Sequence, residues 1–230
     1  MGRRRACASP PGPILPADPV THDRRATKRP IAILISGRGS NMRALIDACA
    51  APDFPARIAL VLSNRPDAPG LAVAQAAGLR TASVDHRPFR GDREAHERAI
   101  DAMLREAGVE LVCLAGYMRL LTPFLTGAWS GRMLNIHPSL LPAFPGLHTH
   151  ERALATGVKL HGCTVHLVTE IMDDGPIIGQ AAVPVHADDT PDRLAARVLR
   201  QEHHLYPAAL RKILDPDGAD DPATESLLFL

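Results

Sequence analysis

Aromatic side chains and long apolar runs are both scarce in this chain of 230 residues, and each scarcity excludes a class of protein. Phe, Trp and Tyr make up 3% of the residues, too few for the stacking platforms that bind single-stranded nucleic acid. No run approaches the roughly eighteen apolar residues that cross a bilayer. The net charge of +1 supplies no overall basic field for DNA or RNA. With 46% hydrophobic residues, the composition is typical of a soluble globular protein.

Cysteines are also few, and they show no C-x-x-C spacing. They are Cys7, Cys49, Cys113 and Cys163, most of them within apolar runs. This pattern supports neither a disulfide framework nor a zinc framework. We therefore expect reduced thiols and a cytoplasmic location.

The two ends of the chain differ in composition from the part between them. Residues 1–30 contain six prolines, seven basic and two acidic side chains. Three arginines at positions 3–5 could begin a signal peptide, but prolines interrupt the apolar stretch that should follow. We expect a disordered extension or a start site placed too far upstream, with a proline-rich partner motif as the alternative. Residues 215–230 hold five acidic and no basic side chains, and we expect a disordered tail whose last apolar residues could dock on the domain.

Between the two ends, residues 31–214 alternate short apolar runs with longer amphipathic ones. Strands are expected at 31–35, 57–63, 81–85, 110–116, 132–137, 161–169 and 177–185, and helices at 40–50, 70–77, 92–107 and 190–214. This alternation predicts a single α/β domain, a mostly parallel, twisted, Rossmann-like sheet with helices on both faces. The last two strands are consecutive, so they are expected to pair antiparallel.

The segment I-S-G-R-G-S-N lies between the first predicted strand and the first predicted helix. Backbone N–H groups at Gly39, Ser40 and Asn41 would point outward at the helix N-terminus and could hold a phosphate. A dinucleotide fingerprint needs a third glycine where Met42 stands, and it needs an acidic residue after the second strand. The pattern therefore favours a single phosphate over a nicotinamide cofactor. A plain glycine turn capped by Ser40 is the alternative.

The segment L-N-I-H-P places Asn135 and His137 two residues apart on a strand, so their side chains share one face. Pro138 ends the strand, which puts the pair at the carboxyl edge, where open parallel sheets bind ligands. An amide donor beside an imidazole suits oxyanion stabilisation and proton transfer. A buried structural histidine is the alternative, but further prolines at 142 and 145 indicate a rigid functional loop.

A third segment, T-E-I-M-D-D-G-P, places acidic side chains between two strands. They are Glu170, Asp173 and Asp174. Acidic loops are usually only solvated, but a carboxylate brought up to His137 would orient the ring and favour its charged form. Further histidines could suggest zinc: His148, His150, His161 and His166. No H-E-x-x-H or Cys/His spacing supports a metal site, so none is expected.

Taken together, the motifs are similar to those of a known family. They read I-S-G-R-G-S-N, L-S-N-R-P-D-A-P-G-L, A-G-Y-M-R-L-L, L-N-I-H-P-S-L-L-P, P-G-L-H-T-H, H-G-C-T-V-H, D-D-G-P-I-I and Q-E-H-H-L-Y-P. In this combination the chain resembles the phosphoribosylglycinamide formyltransferases, folate-dependent enzymes of purine synthesis. The resemblance implies that a formyl group passes from the co-substrate 10-formyltetrahydrofolate to the amine of glycinamide ribonucleotide.

The resemblance also implies which residues catalyse the reaction and bind the two substrates. The catalytic residues of the family correspond to Asn135, His137 and Asp173. Its phosphate-binding turn corresponds to Gly39, Ser40 and Asn41, and the residue that binds the ribose hydroxyls to Glu202. Its folate-binding residues correspond to Arg93, Met118, Arg119, Leu120, Leu121 and Asn135. The partners implied are small-molecule substrates, without nucleic acid or membrane, for a monomer or homodimer.

Three other functions are considered beside this one. Methionyl-tRNA formyltransferases share the Asn-x-His and Ser-Leu-Leu-Pro patterns, but their first turn differs and they add a C-terminal RNA-binding domain. Formyltetrahydrofolate hydrolases carry an N-terminal regulatory domain that the proline-rich residues 1–30 do not resemble. A non-catalytic folate- or nucleotide-sensing module would have no need of Asn135, His137 and Asp173 together. We therefore favour formyl transfer to glycinamide ribonucleotide.

Overall fold

An eight-stranded sheet forms the centre of the computed structural model, which describes residues 28–216 and 228–229. The strands are β1 (Arg29–Ile35), β2 (Ala56–Ser63), β3 (Thr81–Ser83), β4 (Leu111–Leu114), β5 (Met133–His137), β6 (Leu160–Leu167), β7 (Ile177–Pro184) and β8 (Leu228–Phe229). The helices are α1 (Ser40–Ala50), α2 (Pro69–Ala76), α3 (Arg93–Glu106), α4 (Pro123–Ala128), α5 (Thr149–Thr156) and α6 (Pro191–Leu214), with a 3-10 turn at Arg87–Phe89.

The sheet has the strand order β3-β2-β1-β4-β5-β6-β7-β8. The first five strands in this order, which are β3, β2, β1, β4 and β5, run parallel to one another. The pairs β5–β6, β6–β7 and β7–β8 are antiparallel. The predicted α/β class and the antiparallel pairing of β6 with β7 are thus confirmed. From β1 the chain runs through β2 to β3 on one side of the sheet, and it then crosses back to β4 on the other side of β1. The connections that follow β1 and β4 therefore lead in opposite directions. Open sheets bind ligands at such a switch point.

Strand β1 shows why both faces of the sheet are covered by helices. Ile31, Ile33 and Ile35 belong to a core that includes residues of α1, α5 and α6. Ala32 and Leu34 belong to a second core with residues of α3 and α4. Successive side chains of a strand point to opposite faces, so a continuous apolar run requires burial on both. Each large apolar side chain buried in this way contributes roughly 1.5–3 kcal/mol.

The observed elements differ from the predicted ones mainly at their ends and in two short helices. Strand β1 begins at Arg29, before the predicted start, and β3 ends at Ser83 rather than at 85. The predicted cap of α6 is confirmed, because the Thr190 side chain accepts a hydrogen bond from the Arg193 N–H at 3.3 Å. Helices α4 and α5 were not predicted. They have six and eight residues, too few to show a clear apolar period.

Most of the two predicted tails lies outside the described residues, so their predicted disorder stays a prediction. Lys28 already belongs to the fold, because its Nζ donates to the carbonyls of Cys49 at 2.9 Å and Ala51 at 2.6 Å. Near the other end, Leu228 and Phe229 pair with β7. The thiols of Cys49, Cys113 and Cys163 are free, while Cys7 is not described. Within the described ranges, no helix has the length and apolar character needed to cross a membrane.

Candidate active site

Three of the predicted site residues meet over one face of β5. His137 Nδ1 lies 3.5 Å from Asp173 Oδ2, and the two side chains are 7% and 8% exposed. Asn135 lies two residues before His137 on the same strand. Asp173 comes from the loop between β6 and β7, and its Oδ2 also accepts the Gly146 N–H at 2.8 Å. The structure therefore joins the loop after β5 to the loop after β6 through one buried carboxylate.

The backbone around Asp173 explains why this residue, and not Asp174, reaches the histidine. Asp173 has φ 58°, in the left-handed region that Asp adopts more readily than most residues. This conformation turns its carboxylate inward and leaves Asp174 exposed. Gly175 follows, and a Cβ at that position would overlap the Leu167 carbonyl. The D-D-G sequence thus fits a tight backbone approach that aims one of two adjacent carboxylates.

Both ring nitrogens of His137 face acceptors. Its Nε2 lies 3.1 Å from the Phe144 carbonyl, which can only accept, so this nitrogen carries a proton. Its Nδ1 faces the Asp173 carboxylate. When Nδ1 is also protonated, the ring is a cation paired with a buried carboxylate. This arrangement holds the orientation of the imidazole at the edge of the sheet.

His166 is a further member of this group, and sequence reasoning placed it only among possible metal ligands. Its Nδ1 lies 2.9 Å from the Leu167 carbonyl, so Nδ1 carries the proton and Nε2 is free to accept. The Asn135 amide nitrogen lies 3.2 Å from that Nε2. Burial lowers the pKa of His166, which favours the neutral ring that this bond needs. A neutral His166 therefore orients the Asn135 amide and leaves its second N–H for a ligand.

The contact between Asn135 and His166 depends on the register of β5 with β6, so sequence reasoning missed it. Residues Asn135 and His166 are direct partners across the antiparallel pair β5–β6. Side chains of such partners lie on the same face and within reach of each other. Nothing in the sequence identified this pairing, because only the pairing of β6 with β7 was predicted.

The glycine turn opens α1 as expected, but without a side-chain cap. Gly39 is the N-cap residue with φ 71°, so the alternative in which Ser40 caps the helix is wrong. The left-handed conformation favours glycine at this position, whereas a Cβ would meet only the movable terminal methyl group of Met42 at 2.9 Å. No side chain of the described residues caps this turn, which leaves the N–H groups of the first helical turn without a side-chain partner.

Glu202 joins this turn from α6. Its Oε2 accepts a hydrogen bond from the Asn41 amide at 2.6 Å, and the residue is 7% exposed. Burial raises the pKa of Glu202, while the Asn41 bond acts in the opposite direction. One turn later, the Tyr206 hydroxyl lies 3.0 Å from the Leu114 carbonyl and 3.2 Å from that of Leu134, which anchors α6 on β4 and β5. The glycine turn and the buried Glu202 carboxylate are thus held together by the Asn41 hydrogen bond.

The predicted folate segment, residues 118–121, follows β4, whose Leu114 pairs with Asn135. Its Met118 and Leu120 are 66% and 59% exposed. Three more large apolar side chains are exposed on the loops around Asn135 and His137, namely Leu147, Ile171 and Met172. Exposed apolar side chains gathered around a polar group mark a ligand site.

The remaining predicted residues lie at the margin of this region. Arg119 and Leu121 are half-buried, and Arg93 is exposed at the start of α3. Arg93 lies one helical turn before Glu97, whose carboxylate accepts the N–H of Thr122 directly after segment 118–121. Among residues 28–216, no group of three His, Cys, Asp or Glu side chains could hold a metal ion.

Comparison with known proteins places this geometry in one family. The formyl transferase family matches residues 29–210. The phosphoribosylglycinamide formyltransferase of Escherichia coli K12 is 45% identical over 185 residues, which are 80% of this chain and 87% of that protein. The crystal structure of the same-named protein from Brucella melitensis is 55% identical, has a TM-score of 0.78, and aligns over 84% of this chain and 98% of that chain.

Longer relatives contain a similar segment. The human trifunctional purine biosynthetic protein adenosine-3 is 47% identical over 186 residues, or 81% of this chain. The chain spans only 18% of the length of that protein and 19% of its chicken counterpart.

Proposed function

Because this chain belongs to the formyl transferase family, we propose that it transfers the formyl group of 10-formyltetrahydrofolate to the amine of glycinamide ribonucleotide. The product would be formylglycinamide ribonucleotide, an intermediate of de novo purine synthesis. One observation carries the proposal beyond family membership. It is the buried contact of 3.5 Å between His137 and Asp173 on the face of β5 that also presents Asn135.

Asn135 and His137 would act on the oxygen of the formyl group. When the substrate amine attacks the formyl carbon, negative charge develops on that oxygen. The free N–H of the Asn135 amide would donate to this oxygen, and a protonated His137 ring nearby would stabilise it through its charge. His166 supports the step indirectly, because it holds the Asn135 amide in one orientation.

Asp173 and His137 would carry the two proton transfers. The attacking amine must lose a proton, and the departing folate nitrogen must gain one. Asp173, directly or through a water, accepts the first proton, and His137 delivers the second from Nδ1, because its Nε2 proton is held by the Phe144 carbonyl. The C–N bond to the ribonucleotide forms first and gives a tetrahedral intermediate, and the C–N bond to folate then breaks as its nitrogen gains the proton. Atoms and charges balance without a covalent enzyme intermediate.

The other groups would hold the two substrates in line. The N–H groups of Ser40 and Asn41 suit a phosphate, and Glu202 suits the ribose hydroxyls beside it. The apolar side chains of Met118, Leu120 and Met172 suit a flat ring system. Holding two reactants in line supplies much of the acceleration of a bimolecular reaction.

A turnover assay with both substrates tests this function. The full chain is incubated with 10-formyltetrahydrofolate and glycinamide ribonucleotide, and both products are quantified by mass spectrometry. We expect tetrahydrofolate and formylglycinamide ribonucleotide to appear in equal amounts. Formate release without the ribonucleotide would indicate a hydrolase, and formylation of methionyl-tRNA would indicate the other transferase. Binding of either substrate without turnover would indicate a sensing module.

A further inference from the structure

A buried serine holds the first residue of the segment 118–121, and it has no part in the proposed chemistry. Ser36, 6% exposed, follows β1, and its Oγ accepts the Met118 N–H at 2.8 Å. The same hydroxyl donates to Asn64 Oδ1 at 2.6 Å. Asn64 follows β2 and is 3% exposed. The single hydroxyl proton is directed to Asn64, so the lone pairs of Ser36 must face Met118.

The Ser36 contact extends the pairing of β1 with β4 past its end. The Ser36 N–H donates to the Gly116 carbonyl at 3.2 Å, and Gly116 then turns the chain with φ 75°. Beyond that turn the backbones diverge, and the Ser36 side chain takes the place of the next backbone acceptor. The start of the segment is thus tied to the rigid centre of the sheet.

A buried glutamate holds the other end of the segment. Glu97 of α3 is 2% exposed, and its Oε1 accepts the Thr122 N–H at 2.8 Å. Its Oε2 accepts the Thr122 hydroxyl. Burial raises the pKa of Glu97, a sign that its carboxylate has little solvent and depends on these bonds. Thr122 follows the segment directly and is the N-cap residue of α4.

We propose that Ser36 and Glu97 are positioning residues that clamp segment 118–121 from its two ends and thereby set the affinity for the folate co-substrate. The inference rests on the proposed function, in which the backbone of this segment receives the folate. A loop that is already fixed in the free protein loses little conformational entropy when the ligand binds. The clamp therefore raises the affinity for folate. It has no reason to act on the ribonucleotide, which binds at α1 and α6.

Two variants and two matched controls test the clamp in the full chain. Ser36→Ala removes the acceptor of the Met118 N–H, and Thr122→Val removes a donor to Glu97 while keeping the side-chain shape. The controls lose buried hydroxyls that make no hydrogen bond to residues 118–121. They are Ser63→Ala, whose Oγ accepts the Arg65 N–H at 3.0 Å, and Thr126→Val, whose Oγ1 donates within α4 to the Thr122 carbonyl at 3.2 Å.

We would measure four quantities for each protein: KM for both substrates, kcat, the thermal unfolding midpoint, and the dissociation constant for 10-formyltetrahydrofolate. In both clamp variants we expect the folate KM and dissociation constant to rise by about three- to tenfold, the effect of one lost hydrogen bond. The ribonucleotide KM and kcat should stay close to wild type, the controls should show no rise, and Thr122→Ser should restore folate affinity.

Several results would overturn the clamp. One is an unchanged dissociation constant for 10-formyltetrahydrofolate in Ser36→Ala and Thr122→Val. Another is an equal rise of that constant in the two controls. A third is a rise of both KM values together with a lower thermal unfolding midpoint. If the wild-type chain binds folate but transfers no formyl group, the proposed function fails, and the dissociation constants still decide the clamp. If the wild-type chain binds no folate, both proposals fail.

Discussion

At the scale of single residues, the Asn135 amide has one hydrogen engaged and one free. Its nitrogen lies 3.2 Å from His166 Nε2, and its strand position places it beside His137. Asn135→Ala removes the free donor without introducing charge. We expect kcat to fall by about 10²–10³, the usual effect of losing one oxyanion donor from a preorganised site. Steady-state kinetics at saturating substrates measure this, and a near-normal kcat would mean that Asn135 only shapes the strand end.

The two adjacent aspartates provide a sharper test at the same scale. Asp173 is buried against His137 and His166, with its Oδ1 3.8 Å from His166 Nε2, whereas Asp174 is exposed. Asp173→Asn keeps the shape but removes the charge and the proton-accepting oxygen. We expect its kcat to fall by about 10²–10⁴, the range of positioned acid–base groups. Its KM for glycinamide ribonucleotide should change little, because the proposed phosphate site lies at α1, away from Asp173.

Asp174→Asn is the matched control for this prediction, since it makes the same change one residue away. Its kcat should stay near wild type at every pH, because no histidine lies against that side chain among the described residues. The measurement is kcat against pH for the wild type and both variants. If kcat fell in Asp174→Asn but not in Asp173→Asn, Asp174 and not Asp173 would be the catalytic carboxylate. Activity in both variants would contradict the carboxylate–imidazole mechanism itself.

At the scale of elements, the N-terminus of α1 depends on the backbone conformation of one residue. Gly39 has φ 71°, a left-handed conformation that a β-branched residue strongly disfavours. Gly39→Val therefore moves the N–H groups of Ser40 and Asn41, the proposed phosphate donors. We expect KM for the ribonucleotide to rise much more than KM for 10-formyltetrahydrofolate. Initial-rate kinetics with each substrate varied in turn measure both constants, and equal rises would place the phosphate elsewhere.

At the scale of the whole molecule, the titration of buried histidines sets how acid affects stability. Their pKa values are lowered chiefly by burial, and the residues are His96, His150, His161, His166 and His203. For His161, burial and the neighbouring His150 lower the pKa from 6.5 to about 4. A histidine that is harder to protonate when folded favours the unfolded state as pH falls through this window.

We expect the thermal unfolding midpoint to fall as the pH is lowered from 6.5 toward about 4. Glu97 and Glu202 act in the opposite direction, because their raised pKa values favour protonation in the folded state. They are fewer than the histidines, so the net effect remains a loss of stability. Calorimetry across this range measures it, and His161→Gln should show a weaker dependence. A midpoint that rises on acidification would contradict the balance of these groups.

Most strands and the longer helices were predictable from the sequence, because their periods and caps are local properties of the chain. Short apolar runs predicted β1 and β2 within two residues, and the Thr-Pro-Asp start at 190–192 predicted α6. The shared face of Asn135 and His137 also followed from spacing alone, because side chains alternate along any strand. The role of Asp173 and the folate segment, in contrast, came from the motifs shared with a family.

Which distant groups meet depended on how the strands pair. The sequence offered Asp173 and Asp174 as neighbours with the same chemistry, and a backbone turn at φ 58° selected the first. His166 reached Asn135 through the register of β5 with β6, and Ser36 reached Met118 through the pairing of β1 with β4. Such contacts join residues far apart in the chain, and they depend on strand order and register. Local periodicity carries no information about either, because it describes each segment separately.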